Sequence, residues 1–111
     1  MYKGMGGFGG NMQNIMRQAQ KMQEQMQAQM EKAEQELNDA ELIGTAGGGM
    51  VTVAVDGHKN LKSIKIQPQA VDPDDIEMLE DLIMASINEA VKKADELEKS
   101  LKGDNPIGGL F

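Results

Sequence analysis

The sequence predicts an α+β fold, helix–three-stranded antiparallel sheet–helix, with long helices extending beyond the sheet and a homodimer as the assembled form. Three observations predict it. Residues 11–40 and 73–102 repeat apolar side chains at helical spacing. The segment between them carries short runs punctuated by a glycine triplet and an Asp-Gly pair. The lengths also mismatch: a helix of about 30 residues spans roughly 45 Å, whereas a strand of about six residues spans roughly 20 Å. One small sheet cannot cover either apolar stripe. The uncovered remainder must stand in water, grip a ligand or meet a second copy, and open sheet edges add to the case for a second copy.

The chain of 111 residues suits one domain. Residues 1–10 are Gly-rich and read as a flexible tail, 11–102 as the α+β domain, and 103–111 as a second flexible tail. The first helix is expected to start near Asn11, a good N-cap. Its apolar positions are Met12, Ile15, Ala19, Met22, Met26, Met30, Ala33 and Leu37. They form a heptad seam with one extra four-residue step, which relaxes a left-handed supercoil. Thioether side chains suit an adaptable seam.

Three strands follow. The first is Leu42 to Ala46, and Gly47-Gly48-Gly49 turns the chain, because glycine accepts positive φ without steric cost. The second is Met50 to Val55, with Val51, Val53 and Val55 on one face. Asp56-Gly57 signals a hairpin extended by His58-Lys59-Asn60. The third is Leu61 to Ile66, with Ile64 and Ile66 expected toward the core and Lys65 outward. The second helix is expected to begin with Asp72 as cap and Pro73 at the first position, with Asp74 and Asp75 at the positive end of the dipole. Its stripe is Ile76, Leu79, Ile83, Ile87, Ala90, Ala94, Leu97 and Leu101, widened by Leu82 and Val91, and Gly103 ends it.

The formal charge is −7, which argues against an ordinary basic nucleic-acid binder. The charge is segregated, however. Residues 1–23 carry Lys3, Arg17 and Lys21 and no acid, whereas residues 72–89 carry seven acids and no base. Such segregation allows a local basic surface on an acidic protein.

No catalytic constellation emerges, and the chain reads as a non-enzyme. His58 is the single histidine and sits in a hairpin connection. Ser63, Ser86 and Ser100 have no histidine partner in any expected element. The glycine triplet lacks the Gly-Lys-Ser/Thr ending of a phosphate loop. Asp72, Asp74 and Asp75 lack the spacing of a calcium loop and suit a helix start. The chain has no cysteine, which removes disulfides and Cys-based metal sites and permits a reducing cytoplasm. No apolar run approaches the ~20 residues of a membrane span, and the first ten residues lack a signal-peptide core. No cofactor, membrane or small-molecule substrate is expected.

Ala46-Gly47-Gly48-Gly49-Met50-Val51-Thr52-Val53, following a Met/Gln-rich helix, resembles the YbaB/EbfC family of bacterial nucleoid-associated proteins. So do Met78-Leu79-Glu80-Asp81-Leu82-Ile83, the following Asn88-Glu89-Ala90, and Lys21-Met22-Gln23-Glu24-Gln25-Met26 in the first helix. The resemblance covers nearly the whole chain; the order and spacing carry it. Gln67-Pro68 departs from the acidic residue that many relatives place before this proline. The resemblance implies a homodimer with protruding helices, double-stranded DNA as partner with little sequence preference, and a cytoplasmic, nucleoid location. The basic residues available for phosphate contact are Arg17 and Lys21, four apart on the first helix, and Lys92, Lys93 and Lys99 on the second. The expected dimer interface comprises Met22, Met26, Met30, Val51 and Val53. The other reading is a protein-interaction module whose Met-rich seam grips a partner helix.

Overall fold

The computed structural model describes residues 2–103, with side chains from Asn11 onward. The elements are α1 (Tyr2–Asp39), β1 (Leu42–Ala46), β2 (Val51–Val55), β3 (Leu61–Ile66), a 3-10 turn at Pro68–Ala70 and α2 (Ile76–Lys102). The chain divides into two compact units, one ending at Lys32 and the other starting at Ala33.

The first unit is helical. Every side chain from Asn11 to Lys32 is exposed. The helix begins at Tyr2, ahead of the expected start at Asn11. Extending a formed helix adds one hydrogen bond per residue, against a glycine penalty of about 1 kcal/mol each. The expected C-terminal tail, beyond Gly103, lies outside the described residues.

The second unit holds the sheet, α2 and the last turns of α1. The strands lie in the order β1-β2-β3 and pair antiparallel. Gly47, Gly48 and Gly49 all have positive φ (63°, 69° and 95°), so the β1–β2 connection uses the backbone freedom expected of it. The second strand starts at Val51, one residue after the expected Met50. The β2–β3 connection is built around Asp56, whose Oδ1 accepts from the backbone N–H of His58 and of Asn60, both at 2.9 Å. Lys59 is left-handed there, at φ 69°. A bulge follows: Ala54 faces Ser63 while Val55 faces Leu61, leaving Lys62 as the extra residue.

Val51, Val53 and Val55 pack with Ala90 and Ala94 of α2 to form the core, ringed by Leu42, Leu79, Leu82, Ile83 and Ile87. Small residues bring α2 close. At Gly44, which stands opposite Val53, an added Cβ would collide with the Ser86 carbonyl oxygen and lie 2.6 Å from the Ala90 nitrogen. Ser86 is fully buried, and its hydroxyl donates to the Leu82 carbonyl at 2.8 Å, with the Val51 carbonyl at 3.2 Å.

Two expectations are corrected here. Ile64 and Ile66 are each 40% exposed rather than core residues. The register puts them opposite Val53 and Val51, on the correct face, but α2 packs over β1 and β2 and leaves β3 uncovered. The second helix starts at Ile76 and not at Pro73. Asp72 is used in a preceding turn, its Oδ1 accepting from the Asp74 N–H and its carbonyl from the Asp75 N–H, both at 2.9 Å. Asp75 then caps the helix, accepting from the Met78 N–H at 3.1 Å. Gly103 ends it, as expected.

The last turns of α1 are seated on the β2–β3 hairpin. Ala33 and Leu37 are buried. The Gly57 N–H donates to the Leu37 carbonyl at 2.7 Å, and a Cβ at Gly57 would lie 2.6 Å from the Leu37 Cα. Glu34 adds a polar clasp: one carboxylate oxygen accepts from Lys102 Nζ at 2.8 Å, and the other lies 3.2 Å from His58 Nε2.

Candidate nucleic-acid interface

Cations on a helix surface meet a polyanion most readily when no nearby carboxylate holds them, although an exposed ion pair is weak enough to exchange. The expected contact residues divide on that criterion. Arg17 and Lys21 stand four apart on α1, so they share a face. Both are exposed, and neither has an ion pair among the described residues. Lys92 on α2 is likewise exposed and unpaired among the described residues.

Lys93 and Lys99 are engaged. Lys93 Nζ donates to the Ile43 carbonyl at 2.8 Å and lies 3.4 Å from Glu89. Lys99 lies 3.4 Å from Asp95, which also receives Lys59 at 3.4 Å. The Lys99 and Lys59 ammonium groups hold the Asp95 carboxyl below its ordinary range. Lys102 holds the Glu34 carboxyl low in the same way, and Glu34 in turn raises the Lys102 ammonium. Sequence reasoning missed Glu89 and Asp95 as partners, although four-residue spacing from Lys93 and Lys99 was the available signal. Lys59 pairing with Asp95 depends on the tertiary fold and left no local trace.

The expected dimer residues also divide. Met22, Met26 and Met30 are 63%, 61% and 59% exposed, continuing an uncovered stripe with Met12 and Ile15. Val51 and Val53 are fully buried beneath α2 of their own chain. Their side chains therefore offer no surface to a second copy, which corrects their assignment. The open apolar row on that face of the sheet is Leu61, Ile64 and Ile66.

Among the described residues, no group of three or more His, Asp or Glu side chains is assembled as a metal site. No described helix is long and apolar enough to cross a membrane. A depression beside the glycine turn is lined by Gly48, Gly49, Met50, Gln67 and Gln69, without an ionisable side chain. The long solvated helix and its unpaired cations are thus the features left to explain.

Residues 8–104 match the family model for the YbaB/EbfC DNA-binding family. The chain belongs to that family. Its relatives include a nucleoid-associated protein of Ruminiclostridium cellulolyticum, 50% identical over 107 residues that cover 95% of this chain and 90% of the relative. A nucleoid-associated protein of Bacillus thuringiensis is also 50% identical, over 112 residues covering 96% and 99% respectively. The crystal structure of an uncharacterized Helicobacter pylori protein superposes with a TM-score of 0.66 at 24% identity, covering 76% of this chain and 88% of that one. That likeness establishes the shared YbaB-like fold of long helices and a three-stranded antiparallel sheet. YbaB/EbfC proteins form a DNA-binding family and not an enzyme family.

Proposed function

We propose that this chain is a nucleoid-associated protein that binds double-stranded DNA as a homodimer with low sequence preference. The observation that carries the reading is family membership over nearly the full chain, joined to relatives named as nucleoid-associated. Arg17, Lys21 and Lys92 are its leading phosphate contacts, since no carboxylate holds them among the described residues. Lys93 and Lys99 contribute after exchanging Glu89 and Asp95 for phosphate, because exposed ion pairs are worth only about 0–1 kcal/mol. Contacts of this kind position a duplex without reading its bases. Nucleoid organisation and effects on gene expression follow from such binding, in the cytoplasm.

Dimerisation is supported by apolar surface that one chain leaves open. The stripe from Met12 to Met30 and the row Leu61, Ile64 and Ile66 are both exposed, and β3 is an edge strand. Light scattering at micromolar concentration is expected to return twice the chain mass.

The deciding experiment is a gel-shift titration of purified protein on unrelated duplexes at two salt concentrations. Retardation of every duplex, weakening steeply with salt, is the expected result. Reversing charge at Arg17 and Lys21 should weaken all duplexes alike and make the salt dependence shallower by about 0.9 log units per lost phosphate contact. Absence of binding even in low salt would return the exposed Met stripe to the second reading, a surface for a partner helix.

A further inference from the structure

We propose that the sheet face turned away from α2 is a second phosphate-backbone contact, formed by Thr45, Thr52 and Lys65 in one transverse row. The inference rests on the DNA-binding reading above and adds a surface to it.

The row follows from register. Side chains alternate across a strand. Val51, Val53 and Val55 face α2, so Thr52 faces the other way. Thr45 stands opposite Thr52 on β1, and Lys65 stands opposite Thr52 on β3. The three side chains therefore line up across the whole sheet, over roughly 10 Å at the usual strand spacing. The next row holds Ile43, Ala54 and Ser63. Neither row contains a carboxylate, in a chain whose net charge is −7.

These polar groups are uncommitted. Thr45, Ser63 and Lys65 are exposed and Thr52 is half-buried. None has a side-chain hydrogen bond or ion pair among the described residues. The bulge adds Lys62, exposed and also without an ion pair among the described residues. Hydroxyl and ammonium donors with no competing acid match the acceptor oxygens of a duplex backbone, and Ser, Thr and Lys side chains are common phosphate contacts. Thr45 and Thr52 bring neutral donors, while Lys65 brings charge, so their losses leave different signatures. Protection of an edge strand by lysine explains Lys65 alone; it predicts no effect of the threonines on DNA.

The test is fluorescence anisotropy of the full chain with a labelled duplex of arbitrary sequence, across a salt series. The parent is compared with Lys65→Gln and with the Thr45→Val/Thr52→Val double variant, which keeps β-branched residues in the strands. Lys65→Gln should weaken binding several-fold on every duplex and reduce the salt slope by about 0.9. The threonine variant should weaken binding several-fold with the slope unchanged, since a neutral donor releases no counterion. In the parent, amide resonances of β1, β2 and β3 should shift on adding the duplex. A parent that binds DNA, with both variants equal to it and the sheet resonances unmoved, overturns this inference and leaves the helix reading standing. A parent that binds no duplex in low salt overturns both.

Discussion

The two helices carry apolar stripes of the same period and meet opposite fates. On α2, Ala90 and Ala94 are fully buried, and Leu79, Leu82, Ile83 and Ile87 pack around the core. On α1, from Asn11 onward, only Ala33 and Leu37 are buried, while Met12, Ile15, Met22, Met26 and Met30 stand exposed. Periodicity tells which face of a helix is apolar; it does not tell what covers it. The residue types carry a further hint. The α2 contact uses small residues that let backbone approach backbone, as at Gly44 and Ala90. The open α1 stripe uses long thioethers, which adapt to whatever arrives.

The comparison breaks most visibly at Gly44. Gly44→Val would drive a side chain into the Ser86 and Ala90 backbone, and overpacking of this sort costs about 3 kcal/mol or more. Thermal melting should fall steeply or fold should be lost; an unchanged melt would show that α2 does not sit there. Next comes Leu37→Ala, at the buried end of α1. Truncating a fully buried leucine costs about 2–5 kcal/mol, read by urea titration.

The matching change on the open stripe should look different. Met22→Gln with Met26→Gln keeps helix propensity and should alter the chain's own fold by less than about 0.5 kcal/mol per site. Its effect should fall on assembly, with sedimentation shifting toward monomer at micromolar concentration. A double variant that unfolds as a monomer would erase the distinction between the two stripes.

The smallest effect is electrostatic and separates the clasped end of α1 from its open length. Hydrogen bonding to Asn60 holds Asp56 low, as Lys102 does Glu34 and Lys99 does Asp95. A carboxyl with a depressed folded pKa contributes stability above its unfolded value, near about 4, and loses it as pH falls through the folded value. Melting should therefore drop in acid below about pH 4 through these groups. Lys102 has the opposite sign: its contribution is present below its ordinary value of about 10.4 and is lost as pH rises through the raised folded value. Glu34→Gln should flatten both dependences.

Much of the fold was legible because local signals agreed. The boundaries of β1 and β3 follow from alternation between glycine and Asp-Gly turns, and Gly47, Gly48 and Gly49 take the positive φ their type favours, whereas the left-handed Lys59 left no signal in its residue type. The start of α2 was less legible because Asp72, Asp74 and Asp75 are all competent caps, and hydrogen bonding within the turn chose among them. The start of α1 was obscured by glycines that continue a helix poorly yet do so here. At the candidate interface, the shared helix face of Arg17 and Lys21 was readable from their spacing. Their lack of partners, and the engagement of Lys93 by the Ile43 carbonyl fifty residues away in sequence, required the tertiary structure. The valines were assigned to the correct sheet face and the wrong contact, since alternation cannot say whether α2 or another chain supplies the cover.

The uncovered methionines also make α1 a chemical recorder. Met12, Met16, Met22, Met26 and Met30 are exposed, as is Met84 on α2, whereas Met50 and Met78 are half-shielded. Mild peroxide converts an accessible thioether to its sulfoxide, a polar group that a reductase can return. In the bare chain these α1 methionines and Met84 should oxidise ahead of Met50 and Met78. Whatever lies against the helix, a second copy, a duplex or a partner helix, will write its footprint as the subset of sulfurs spared.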